Sequence, residues 1–148
     1  MSGTFPAGAS ALTTLLVVED LARSVAFYRD VLGARLHGEY GGTSAVFEIA
    51  GAWLLIVTGG EPTPDKPTVS FTGPSDADRV DHEIIFRVDD CRGAYEELIG
   101  RGATFLAPPL DRGGEIRCFL RDPDGHLIEL KQYGTDDTGS EVEAGSAG

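Results

Sequence analysis

Two segments of the chain repeat one hydrophobic plan. Thr13-Thr14-Leu15-Leu16-Val17-Val18 is an apolar run rich in β-branched residues and predicts a strand. Asp20 follows as a natural N-cap, opening a helix from Leu21 to about Leu32 that Gly33 ends. Within it Leu21, Val25, Tyr28 and Leu32 form one apolar stripe, while Arg23, Arg29 and Asp30 lie off it. The second segment has Glu83–Val88 as strand, Asp90 as cap, Cys91–Arg101 as helix and Gly102 as stop, and Cys91, Tyr95, Leu98 and Gly102 keep the spacing of the first stripe. Three short strands are predicted beyond each helix: 35–40, 44–50 and 52–58, then 104–107, 115–121 and 126–133. Turns are expected at Gly41-Gly42, Gly113-Gly114 and Asp124-Gly125. Each half therefore reads βαβββ, which makes the fold class α+β by duplication of a unit longer than a stacked repeat.

The expected organisation is a flexible stretch 1–10, one domain over 11–133, and a tail 134–148. The domain comprises a first module (11–59), a linker (60–81) rich in Pro, Gly, Asp and Thr, with Val69–Phe71 a short strand, and a second module (82–133). The tail carries Asp136, Asp137, Glu141 and Glu143 among Gly, Ser, Thr and Ala; such a composition cannot offset its ordering entropy and is expected to be disordered.

Composition narrows the function classes. The formal charge of −12, with no basic run, excludes a nucleic-acid footprint. No basic cluster precedes an apolar run near Met1, and no apolar stretch is long enough to span a bilayer, so a cytoplasmic protein without membrane contact is expected. Cys91 and Cys118 lack CxxC spacing and sit within apolar patterns, as reduced, buried thiols do.

Two motifs carry a family resemblance. Asp20-Leu21-Ala22-Arg23-Ser24-Val25-Ala26-Phe27-Tyr28-Arg29-Asp30-Val31-Leu32-Gly33 resembles the first-helix signature of the vicinal oxygen chelate superfamily, which includes glyoxalases, bleomycin-resistance proteins and extradiol dioxygenases. Arg121-Asp122-Pro123-Asp124-Gly125-His126-Leu127-Ile128-Glu129-Leu130 is similar to its closing turn and last strand. The resemblance spans about Leu12 to Tyr133. It implies eight strands in a curved mixed sheet around a central cavity, helices on the convex side, and a homodimer.

It also implies metal-ligand positions, which fall here on Thr13, Leu55, Glu83 and Glu129. Leucine offers no donor and a neutral threonine hydroxyl is a weak one, so Glu83 and Glu129 remain as candidate ligands or as catalytic acid/base groups. Two carboxylates without histidine would favour Mg²⁺, Mn²⁺ or Ca²⁺ over tightly bound zinc. The choice of Glu83 over His82 rests on alternation: Ile84, Phe86 and Val88 form an apolar face, leaving Glu83, Ile85 and Arg87 opposite. His82, His37 and His126 then read as surface or turn residues, His37 with reach to the cavity rim.

Alternation gives the rest of the expected lining. One wall is apolar, with Thr13, Leu15, Val17, Trp53, Leu55 and Val57; the other carries Arg87, Arg117, Phe119, Arg121, Leu127, Lys131 and Tyr133 beside the glutamates. Phe47 is expected to join Trp53 and Phe119 as an aromatic contact. Such a cavity suits a small, anionic or aromatic, oxygen-bearing ligand. A glyoxalase- or dioxygenase-like enzyme and a metal-free drug-binding or resistance protein both fit, the surviving carboxylates favouring the first and Leu55 the second.

Overall fold

The computed structural model describes residues 5–134. Residues 1–4 and the acidic segment from 135 on, most of the expected disordered tail, lie outside the described residues. The chain divides into two compact units, one ending at Ser75 and the other starting at Asp76.

In the first unit, β1 (Thr13–Val18) leads through the Asp20 cap into α1 (Leu21–Ala26), which continues as a wider π-helical turn (Phe27–Val31). The Asp20 carboxylate accepts from the Arg23 backbone N–H at 3.1 Å, satisfying one of the orphan donors of a helix start. Gly33, at φ 78°, is in the left-handed region that ends the helix. β2 (Arg35–Tyr40), β3 (Ser44–Ile49) and β4 (Ala52–Thr58) follow, in sheet order β1-β4-β3-β2 with β1 and β4 parallel. Leu16, Val18, Ala45, Phe47, Leu54 and Ile56 form the buried face and, with Val25 and Tyr28, the core. Leu21 and Leu32, the ends of the expected stripe, are half-buried. The 60–81 stretch holds two isolated antiparallel bridges, Gly60 to Phe71 and Thr63 to Lys66, and no strand forms at Val69–Phe71.

The second unit repeats the plan with β5 (Ile84–Arg87), α2 (Cys91–Gly100), β6 (Leu110–Asp111), β7 (Glu115–Arg121) and β8 (Leu127–Tyr133). Its sheet order is β5-β8-β7-β6, with β5 and β8 parallel. The eight strands form two four-stranded mixed sheets, one in each βαβββ module. Asp90 caps α2 through Gly93 N–H at 3.0 Å. The strand expected at 104–107 is reduced to one bridge, Phe105 to Leu120, and pairing resumes only at β6. Pro108 and Pro109 lie between and have no N–H to give to a ladder.

The core of this unit is Cys91, Leu98, Ala103, Cys118, Leu120, Ile128 and Leu130. Both cysteines are free and buried, with their sulfurs 3.6 Å apart. Burial pushes both thiols up, Cys118 to about 12, so they act as inert packing groups. Asp122 organises the turn before β8: its Oδ1 accepts from Asp124 N–H and His126 N–H, each at 2.9 Å.

Candidate functional site

The face of each sheet opposite the buried core carries the chemistry. In the second unit the pairing sets it out in rows. Arg87 stands beside Lys131, which stands beside Arg117; in the next row Ile85, Glu129 and Phe119 are neighbours. Glu83, one residue before β5, reaches the same place, because its carboxyl lies within hydrogen-bonding range of Glu129. Glu83, and not His82, is the neighbour of Glu129. His82 is exposed, 3.1 Å from Asp81, with its ring 6.1 Å from that of His126.

Glu129 is 1% exposed, an unusual burial for a carboxyl group. Its Oε2 lies 3.4 Å from the Lys131 ammonium but out of line for a hydrogen bond, and Glu83 Oε1 is likewise buried without a hydrogen-bond partner. Desolvation first, then the adjoining Glu129 carboxyl, push Glu83 up to about 7, with Lys131 and Arg117 opposing. A carboxyl group with that value exchanges its proton at neutral pH.

Lys131 is itself 3% exposed and also faces Glu115, at 3.7 Å. Glu115 was not among the expected site residues, yet its buried carboxylate collects Arg112 and Arg117 as well, each at 3.8 Å. The signal for it was present: stepping back by two from Arg117 along β7 reaches Glu115 on the same face. Tyr133 receives Arg87 on its ring at 4.6 Å and Lys131 at 5.8 Å, and Arg117 lies 5.2 Å from the Phe119 ring centre. Arg121 is engaged elsewhere, donating to the Ala77 carbonyl and, at 2.8 Å, to Asp78.

In the first unit Thr13 pairs with Trp53, Leu15 with Leu55 and Val17 with Val57, so the expected apolar wall does share one face. His37 packs edge-on to Trp53 at 4.8 Å and meets Arg35 at 3.1 Å. Phe47 is a correction. It is fully buried on the opposite face, opposite Leu54 in the ladder and 6.0 Å from the Tyr28 ring, so it is a core residue and lines no ligand surface.

The donor set does not make a metal centre. Thr13 is exposed and Leu55 has no donor atom, Glu83 and Glu129 have an ammonium as neighbour, and among the described residues no group of three or more His, Cys, Asp or Glu is placed to hold a metal ion. What the Glu83–Glu129 pair can do alone is give and take a proton beside a row of cations.

Comparison with known proteins bears on this geometry. The model of the Glyoxalase/Bleomycin resistance protein/Dioxygenase superfamily matches residues 11–130. The lactoylglutathione lyase of Haemophilus influenzae is 31% identical over 131 residues, covering 80% of this chain and 89% of that protein. TioX from Micromonospora sp. ML1 has a similar fold, with a TM-score of 0.67 at 24% identity over 85% of this chain and all of that one. A mutant of the fosfomycin resistance protein FosX from Listeria monocytogenes, complexed with Mn(II) and 1S,2S-dihydroxypropylphosphonic acid, has a TM-score of 0.62 at 21% identity, covering 92% and 97%. No helix among the described residues is long and apolar enough to cross a membrane.

Proposed function

The chain belongs to the Glyoxalase/Bleomycin resistance protein/Dioxygenase superfamily, and we propose that it is a glyoxalase-like enzyme that moves a proton on a small, oxygen-bearing organic substrate. The observation that carries this reading is the pair of neighbouring carboxyl groups, half-buried Glu83 and buried Glu129, with Lys131 beside it. Glu83, pushed up to about 7, is the group that takes and returns the proton; Glu129 is the positioning partner that raises it. Lys131 limits the charge the pair accumulates as the proton leaves. No step is routed through a metal, since the donor set does not fit one. An anionic or aromatic substrate and a homodimer, the commonest symmetric assembly, belong to the same proposal.

The relative named lactoylglutathione lyase directs the first assay: isomerisation of the adduct of methylglyoxal and glutathione, followed alongside other α-keto aldehydes with and without a chelator. Turnover that survives chelation and falls by about a hundredfold or more in Glu83→Gln, a typical loss for a general acid/base, supports the reading. Turnover that is unaffected in Glu83→Gln refutes it. The donor-free wall of Leu15, Val17, Leu55 and Val57 with Trp53 favours a second reading, a binding protein. Saturable ligand binding without any turnover would establish that alternative.

A further inference from the structure

The cation row on β5, β8 and β7 is costly as a purely structural arrangement. Like charges at neighbouring cross-strand positions repel, yet Arg87, Lys131 and Arg117 occupy three consecutive places in one row. Glu115 draws on Arg117 and Lys131, and Glu129 draws on Lys131. Arg87 differs: among the described residues no carboxylate lies within ion-pair distance of it, and its guanidinium rests on the Tyr133 ring. It is exposed, on the same sheet face as Glu129 and one row away. Stacking on an aromatic face orients the guanidinium plane while leaving its N–H fork unspent, and that fork matches two oxygens of a carboxylate or phosphate. In a chain of net charge −12, a scarce cation is held in a fixed orientation and aimed at nothing of the protein's own.

We propose that Arg87, oriented by Tyr133 and flanked by Lys131, is a specificity-determining residue that binds an oxyanion group of the small-molecule ligand. This deepens the functional reading above by naming the charged part of the substrate, and it rests on that reading only for the claim that the ligand is a substrate.

The test measures binding without turnover, by ligand-observed NMR titration of the full chain with benzoate, benzamide and inorganic phosphate. Wild-type protein is expected to bind benzoate or phosphate and to bind benzamide weakly. Arg87→Gln should weaken the anion by about tenfold or more, the worth of a charge-assisted hydrogen bond pair, at unchanged melting temperature. Arg87→Lys, which keeps the charge and loses the fork, should recover only part of that loss; Tyr133→Leu should weaken the anion while leaving benzamide alone. Preference for benzoate over phosphate assigns a carboxylate, and the reverse a phosphate-like group. Equal anion affinity in wild type and Arg87→Gln, an equal loss for benzamide, or no anion binding by the wild type overturns the inference. Glu83→Gln separates the two proposals: anion binding that persists there while turnover is lost leaves both standing, and anion binding lost only in Arg87→Gln cannot come from failure of the proton-transfer pair.

Discussion

Replacing Glu83 by Gln should change how stability depends on pH. In the native state the Glu83 carboxyl sits at about 7, against 4.5 for the ordinary group, because burial and the neighbouring Glu129 disfavour its charge. The folded protein therefore binds a proton more tightly than the unfolded chain does. The stability this confers is fully present below about pH 4.5, drains away as pH rises through the folded value near 7, and is gone by about pH 8. At about 1.4 kcal/mol for each pH unit the ceiling is about 3 kcal/mol; Glu83 is only half-buried, and solvent screening lowers the expected effect to about 1–2 kcal/mol. Gln keeps the shape and cannot ionise. Urea unfolding of wild type and Glu83→Gln at pH 5, 6, 7 and 8 reads the titration of the Glu83–Glu129 pair, since titrations remote from the pair cancel in the difference. The variant should gain about 1–2 kcal/mol on the wild type between pH 5 and pH 8. A difference that is flat across this range would show that Glu83 ionises as an exposed carboxylate, and the proton-transfer role would fall with it.

Phe47→Ala should cost about 3–5 kcal/mol in urea unfolding, since it empties a fully buried site against Tyr28, whereas Trp53→Ala on the opposite face should cost clearly less; similar costs would mean that the two faces are misassigned. Protein dialysed against a chelator should contain no stoichiometric zinc or iron by elemental analysis, because of the four positions Thr13, Leu55, Glu83 and Glu129 two alone carry a strong donor. A retained equivalent of either metal would refute that account of the donor set.

The sequence by itself determined whatever depends on neighbours along the chain. The caps at Asp20 and Asp90, the helix stops at Gly33 and Gly102, and the duplicated βαβββ order all follow from local hydrogen-bonding and from one period repeated twice. Strict alternation in 83–88 was enough to put Glu83 rather than His82 beside Glu129, because a single slip would have buried a charge and exposed Phe86. Where alternation was ambiguous, tertiary pairing decided. In Ser44–Ile49 alternation separates an apolar face of Ala45, Phe47 and Ile49 from one of Ser44, Val46 and Glu48, but in a chain with an apolar ligand wall it does not say whether the apolar face meets the core or the ligand; the alignment with β4 puts Phe47 opposite Leu54 in the core. The same holds for the charges. Along β7 and β8 alone, Glu115, Arg117, Glu129 and Lys131 read as a solvated polar face, with nothing to say which of them is buried. Only with three strands in register do Glu115, Glu129 and Lys131 lose their water to one another, and desolvation combined with proximity is what gives the Glu83 carboxyl a proton to exchange near neutral pH.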